Sequence, residues 1–277
     1  MVGAPATLHR LRQTVAKIER QQTVVDPGHP LLPLGIATID RHLQGGLSPA
    51  GLHEVAPASA WDVAAASGFA MRLAASVAQT RPDGELLWIQ TGFAAQEAGG
   101  LYGPGCCALG LPIRRLLVLA VPRPIDALWA MEEALKSRGL TGVVTELPDD
   151  GPLADLTATR RLLLAAREGR NVGFLLRHKT SPLTSASETR WQVAAAPGQP
   201  DRFGGLGSPA WVLSLVKNRH GATGRWRVVC NPGESAARHA PHRETGDRHA
   251  FAVPALSLGV AAATADRPDR APLVRAG

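Results

Sequence analysis

Apolar positions along the chain follow two alternating patterns: short continuous runs, which fit strands, and stripes at helical spacing. The first stripe is Leu8, Leu11, Val15 and Ile18, ringed by Arg10, Arg12, Lys17 and Arg20, and it predicts a short amphipathic helix. Residues 21–33 read as a linker with Asp26-Pro27-Gly28 as its turn. Strands are predicted at 52–55, 86–90, 116–121, 142–147 and 172–176, with the run at 116–121 expected to be buried. Between them, Phe69, Leu73 and Val77 mark a helix ending near Thr80. Further helices are expected at 124–138 and 153–168, closed by Gly139 and Gly169. Ser59 and Asp62 have the S-x-x-D spacing of a capping box ahead of the first of these helices. The stretch 92–110 is glycine-rich, with room for a short helix.

Short strands alternating with amphipathic helices imply an α/β fold: a mainly parallel twisted sheet with helices on both faces and right-handed crossovers. After Thr180 the helical stripes stop. Residues 191–194, 211–216 and 225–229 read as strands, the last two joined through Gly221-Ala222-Thr223-Gly224 as a hairpin. Antiparallel strands therefore extend the parallel sheet. From Asn231 onward the pattern dissolves into Pro, Ala, Arg and His, a composition expected to be disordered, interrupted by an apolar island at 251–260. The chain accordingly divides into an N-terminal helix and linker (1–30), an α/β core (31–230) and a tail (231–277).

Composition narrows the function classes. A chain of 277 residues with 45% hydrophobic content can bury one large core. Its net charge of +7 comes from arginine, since the only lysines are Lys17, Lys136, Lys179 and Lys217. Such a chain can hold nucleic acid or an acidic protein face, but it has no long basic block, and scattered arginine equally well solvates a surface. Cys106 and Cys107 are adjacent and Cys230 is distant, so no CxxC spacing offers zinc a site, and a reducing compartment is expected. No apolar run has the length of a signal peptide at the N-terminus or of a membrane span later, so a soluble, cytoplasmic protein with no membrane contact is expected. His239, His242 and His249 alternate with Arg238, Arg243 and Arg248, whose charges oppose a cation, so no metal is expected. Ser48, Ser67 and the cysteines have no His/Asp arrangement that would make a nucleophile.

Four stretches, in this order, resemble the RecA family. Leu34-Gly35-Ile36-Ala37-Thr38-Ile39-Asp40 resembles the segment before that family's phosphate loop, and Gly45-Gly46-Leu47-Ser48-Pro49-Ala50-Gly51 its glycine turn. Leu52-His53-Glu54-Val55 resembles the strand leading into the loop, and Val216-Lys217-Asn218-Arg219 a late strand ending in Lys-Asn-Lys. The resemblance covers about residues 31–230 and implies a RecA-like fold. Where the phosphate loop belongs, the chain reads Ala56-Pro57-Ala58-Ser59-Ala60-Trp61-Asp62-Val63. A working loop needs glycines, so that backbone N–H groups approach the phosphates, a lysine for the terminal phosphates and a hydroxyl for Mg²⁺. Both glycines and the lysine are missing, and Trp61 and Asp62 put bulk and negative charge in their place. After the next strand, Gln90-Thr91-Gly92-Phe93 carries no acid where the family has its water-activating Glu; Glu97, further on, reads as a surface residue.

What remains are relics. Ser59, Trp61 and Asp62 mark the old loop, and Glu146 matches the family's metal-holding Asp. Lys217 and Arg219 match residues that reach a neighbour's nucleotide. No catalytic residue and no cofactor are expected. The stretches that match the family's DNA-binding loops, after Leu147 and after Lys179, look short, leaving at most weak single-stranded DNA binding through Arg177, His178 and Lys179.

Within that superfamily the chain resembles the ImuA family, RecA-like proteins without a competent ATP site. This resemblance implies a non-catalytic accessory in DNA-damage-induced translesion synthesis and mutagenesis. Its partners would be ImuB, an inactive Y-family-polymerase-like protein, and an error-prone replicative-type polymerase, while RecA or another partner could receive the N-terminal stripe as RecA protomers receive one another. Leu8, Leu11, Val15 and Ile18, and the island residues Phe251, Leu256 and Leu258, are the candidate contact residues. Three other readings stay open: a RecA-like inhibitor of cell division, a divergent ATPase of DNA repair, and a DNA-binding module.

Overall fold

The structure, a computed structural model, describes residues 30–147, 153–180, 183–198, 203, 205, 207–230 and 238–240. The chain divides into two units, Met1–His242 and Arg243–Gly277, and every described residue lies in the first. Among these residues the strands are β1 (Leu52–Pro57), β2 (Glu85–Thr91), β3 (Leu116–Val121), β4 (Leu140–Leu147), β5 (Val172–Arg177), β6 (Thr189–Ala196), β7 (Ala210–Asn218), β8 (Gly224–Val229) and β9 (Arg238–Ala240). The helices are α1 (Ala37–His42), α2 (Val63–Thr80), α3 (Gly92–Ala98), α4 (Gly103–Ala108), α5 (Pro124–Lys136) and α6 (Leu156–Gly169). The sheet order is β3-β2-β4-β5-β1-β6-β7-β8-β9. Pairing is parallel from β3 to β6 and antiparallel through β7, β8 and β9. This is the mixed sheet that the strand and helix patterns predict.

The alternation of each strand decides which helix it meets. Val55, Trp88, Val144, Phe174, Trp191 and Leu213 face α2, where Phe69, Leu73 and Val77 are buried. Phe69 stands edge-on to Trp191 at 5.5 Å and to Trp211 at 6.2 Å between ring centres, so one helix residue joins the parallel strands to the antiparallel extension. Leu52, Ile89, Val143 and Leu175 face the other way, against Leu128, Met131 and Leu135 of α5 and Leu162 and Leu163 of α6. Each such side chain contributes about 1.5–3 kcal/mol on burial. Helix α6 begins at Leu156, three residues later than its apolar pattern suggests. The reason is Asp155, whose Oδ1 accepts the Ala158 N–H at 2.8 Å and caps the helix.

One strand departs from expectation. The run at 116–121 is not buried: β3 is the outermost strand, with Leu117 50% and Val118 54% exposed. Those two residues point to opposite faces of the sheet, so the strand is open on both. An unbroken apolar run is the pattern of a central strand, and nothing local in it marks an edge.

The glycine turn before β1 is explained by close approach. Gly46 has φ +139°, and a Cβ there would lie 2.1 Å from the Leu32 carbonyl oxygen. Only glycine lets Leu32 and Leu47 exchange their two backbone hydrogen bonds, both 2.8 Å. Asp40 ties the preceding segment down by accepting the Leu34 and Ile36 N–H groups at 2.6 and 3.1 Å.

Candidate functional site

The junction of β1 and α2 is where a RecA-like nucleotide site would lie. The chain leaves β1 at Pro57, and the Ala58 N–H donates to the Val193 carbonyl at 2.8 Å. A single 3-10 turn, Ala60–Asp62, then leads into α2. The capping box expected from Ser59 and Asp62 does not form, because neither side chain caps a helix. Ser59 Oγ donates to Asp62 Oδ2 at 2.6 Å, and Asp62 Oδ1 accepts the Ala195 N–H of β6 at 2.7 Å. The long-range bond to β6 wins over the local cap. An anion already stands at the start of α2, held by the chain's own donors, so a phosphate brought there meets like charge. Trp61 is 94% exposed beside it.

Glu146, the last residue but one of β4, is buried. Trp88 Nε1 donates to one of its oxygens at 2.8 Å and Gln90 Nε2 to the other at 3.0 Å, both from β2. Burial pushes this carboxyl above its usual range, with the two donors opposing the shift. His178 Nε2 lies 3.9 Å from Glu146 and is itself lowered by burial. A carboxylate with both oxygens occupied by neutral donors is poorly set to hold Mg²⁺, which needs oxygen ligands in near-octahedral array. Among the described residues no cluster of His, Cys, Asp and Glu could hold a metal. The residues at the site therefore do not fit a nucleotide with its metal. Gln90, at the place of the family's acid, instead holds Glu146, and Thr91 Oγ1 accepts the Ala94 N–H to cap α3.

The late-strand residues part company. Lys217 turns onto its own chain, where Nζ donates to the Ser185 carbonyl at 2.7 Å, and burial lowers its pKa against the pull of Glu54. Arg219 is exposed. Lys217 belongs to a group that sequence reasoning missed. Glu54, fully buried in the central strand β1, accepts from Arg177 at 3.2 Å and from Arg190 at 2.5 Å. Arg177 also donates to the Ala154 carbonyl, and Arg190 to the Leu183 carbonyl. The available signal was a carboxylate within a short strand that is apolar apart from it and His53, which demands a buried cation. Arg177 is thus committed to the interior and is not available to touch DNA phosphates as the sequence suggested.

A second buried acid, Glu188, lies near the amino end of β6 among His53, His220 and Arg167. Arg167 donates at 3.2 Å, and His220 Nε2 lies at 3.9 Å. Burial alone would raise Glu188, but His220, His53 and Arg167 bring it down to about 2. His53 is pushed below its usual value by burial and bonds to Thr189 Oγ1 and the Ser48 carbonyl.

Leu8, Leu11, Val15, Ile18, Phe251, Leu256 and Leu258 lie outside the described residues, as do His242 and His249. The loops after Leu147 and Lys179 are described only in part.

Comparison with known proteins gives the geometry a context. The chain is 33% identical to Protein ImuA of Caulobacter vibrioides over 227 residues, spanning 77% of this chain and 87% of that protein. The chain belongs to the ImuA family. It is also 34% identical to the Cell division inhibitor SulA of Edwardsiella piscicida over 89 residues, 31% of this chain and 49% of that protein. No family model matches. Among solved structures, the RadB recombinase aligns over 76% of this chain and all of its own, with a TM-score of 0.53 and 14% identity. The fold is therefore RecA-like, as the ordered resemblance implied. Within this ImuA-family chain, the altered phosphate loop is a closed turn rather than an open cradle. No helix among the described residues is long and apolar enough to cross a membrane.

Proposed function

We propose that this chain is a non-catalytic RecA-like accessory in DNA-damage-induced translesion synthesis and mutagenesis, working in the cytoplasm through protein contacts. The observation that carries this reading is Asp62, whose carboxylate takes up the start of α2 by bonding Ser59 and Ala195. Family membership supports the role, and the outer strand β3, apolar and open on both faces, suits a protein that acts by contact. Its partners are an ImuB-like protein, an error-prone replicative-type polymerase and RecA. The N-terminal stripe Leu8, Leu11, Val15 and Ile18 docks on one of them, and the tail island around Phe251, Leu256 and Leu258 supplies a second contact. In sequence, the contact segments 1–30 and 231–277 lie on either side of the α/β core at 31–230.

The test is recovery of partners from DNA-damaged native cells carrying tagged wild-type chain or the double variant L11D/V15D. The wild type brings down a Y-family-like protein, an error-prone polymerase or RecA. The variant loses at least one of them at unchanged melting temperature. A matching loss of thermal stability contradicts the docking role, and recovery of none of these partners contradicts the function.

The similarity to SulA supports a second reading, a RecA-like inhibitor of cell division. Filamentation on overexpression, with division proteins in place of polymerases among the recovered partners, selects it over the first.

A further inference from the structure

Three arginines from three chain reversals meet at the end of the sheet opposite the closed phosphate loop. The turn after α2, the turn between α5 and β4 and the end of α6 line a cavity of about 830 Å³. Arg81, Arg138 and Arg170 stand on its wall, and Asp83 is the one carboxylate residue among its lining. The size is that of a small-molecule site. Helices α2, α5 and α6 all end here, and bare C-terminal carbonyls would repel an anion. Several carbonyls at these helix ends and in the turns beside them are already taken. Arg115 donates to the Ala78, Arg81 and Gly84 carbonyls, Arg81 to those of Arg170 and Pro49, and Asn171 Nδ2 to that of Ser137. The lining therefore carries three arginines against one carboxylate residue. Among the described residues, no carboxylate forms an ion pair with Arg81.

A second observation points the same way. Arg170 closes α6 in the left-handed conformation, at φ +54°. A chain selected for stability alone favours glycine or asparagine there, because a Cβ is strained in that region. Gly169, just before it, is required by packing, since a Cβ on it would lie 2.0 Å from the Leu135 carbonyl oxygen. No such requirement explains arginine at 170. Strain held at a position that lines a cavity is consistent with a site kept for binding.

We propose that this cavity binds a ligand carrying two or more phosphate groups, either a free polyphosphate or the backbone of a nucleic-acid strand, through Arg81, Arg138 and Arg170. Guanidinium forks spread over three helix ends match several phosphate oxyanions at once. The site is independent of the proposed partners.

The experiment uses the full chain, with tripolyphosphate in thermal melts and a fluorescein-labelled single-stranded oligonucleotide in anisotropy titrations across salt. The expected result is that at least one probe binds the wild type and fails on R138E, while R225E, an equal charge change at an exposed position of β8, binds as the wild type does. R170G melts about 2–4 °C higher without ligand, yet binds about tenfold more weakly. Each lost phosphate contact lowers the salt slope by about one. Oligonucleotide binding lost in R138E assigns the strand backbone, and binding of tripolyphosphate alone assigns a free polyphosphate. Absence of binding by both probes, equal binding by wild type and R138E, or equal weakening in R225E overturns the proposal.

Discussion

At the carboxyl ends of β1 and β4, this RecA-like sheet keeps its acids to itself. Asp62 is bound by Ser59 and a β6 amide, and Glu146 by Trp88 and Gln90. At the amino ends of β2 and β4, arginines gather around an open cavity with a single lining carboxylate. The first end is where ligands bind in open α/β sheets; the second is ordinarily left to stability. The contrast teaches that fold alone does not fix where a ligand goes. An acid side chain folded into the first end closes it to phosphate, while arginines held at the second leave it open to phosphate.

The two ends are joined by the buried ions of β1, and the largest expected effect comes from breaking them. Glu54→Ala leaves Arg177 and Arg190 without their carboxylate, one of them fully buried. The expected loss is about 3–5 kcal/mol, read as a lower midpoint in urea. A loss of under about 1 kcal/mol would put the triad on the scale of a surface ion pair.

Next comes acid. Glu188 sits near pKa 2 in the folded chain and higher when unfolded. Its contribution to stability is therefore present above the ordinary glutamate range and is lost as pH falls from about 4.5 toward 2, by roughly 2–3 kcal/mol. Glu188→Gln is expected to flatten that part of the pH–stability curve. An unchanged acid limb in this variant would mean that other carboxylates set it.

The smallest effect belongs to the closed end. Asp62→Ala removes two exposed hydrogen bonds and costs about 1 kcal/mol, measured by thermal melting. Its value lies in the comparison: Asp62→Ala opens the turn without restoring the missing glycines and lysine, so phosphate binding there stays absent. Binding gained by this variant would show that Asp62 alone closes the site.

These features differ in how far the sequence announces them. The order of elements, the hairpin of β7 and β8 and the missing glycines and lysine of the phosphate loop are readable because each rests on local spacing or on residue types at a fixed place. The partners of Glu54 lie 123 and 136 residues away, and the partner of Asp62 lies 133 away. No local pattern encodes those pairings, which is why a capping box was expected where a bond to β6 forms. The exposure of β3 was hidden for a related reason. An apolar run reports that a strand is apolar, while its place in the sheet is set by which strands find β2. The arginine cavity is assembled from three turns far apart in the chain and shows no sequence motif.

The proposed absence of RecA-type nucleotide chemistry from this chain is tested most directly by steady-state ATP hydrolysis with Mg²⁺, comparing the purified wild-type chain with Glu146→Gln. The account predicts no phosphate release above buffer for either. Magnesium-dependent turnover by the wild type that Glu146→Gln abolishes would contradict it, because Glu146 would then have to leave Trp88 and Gln90 and act on a bound nucleotide.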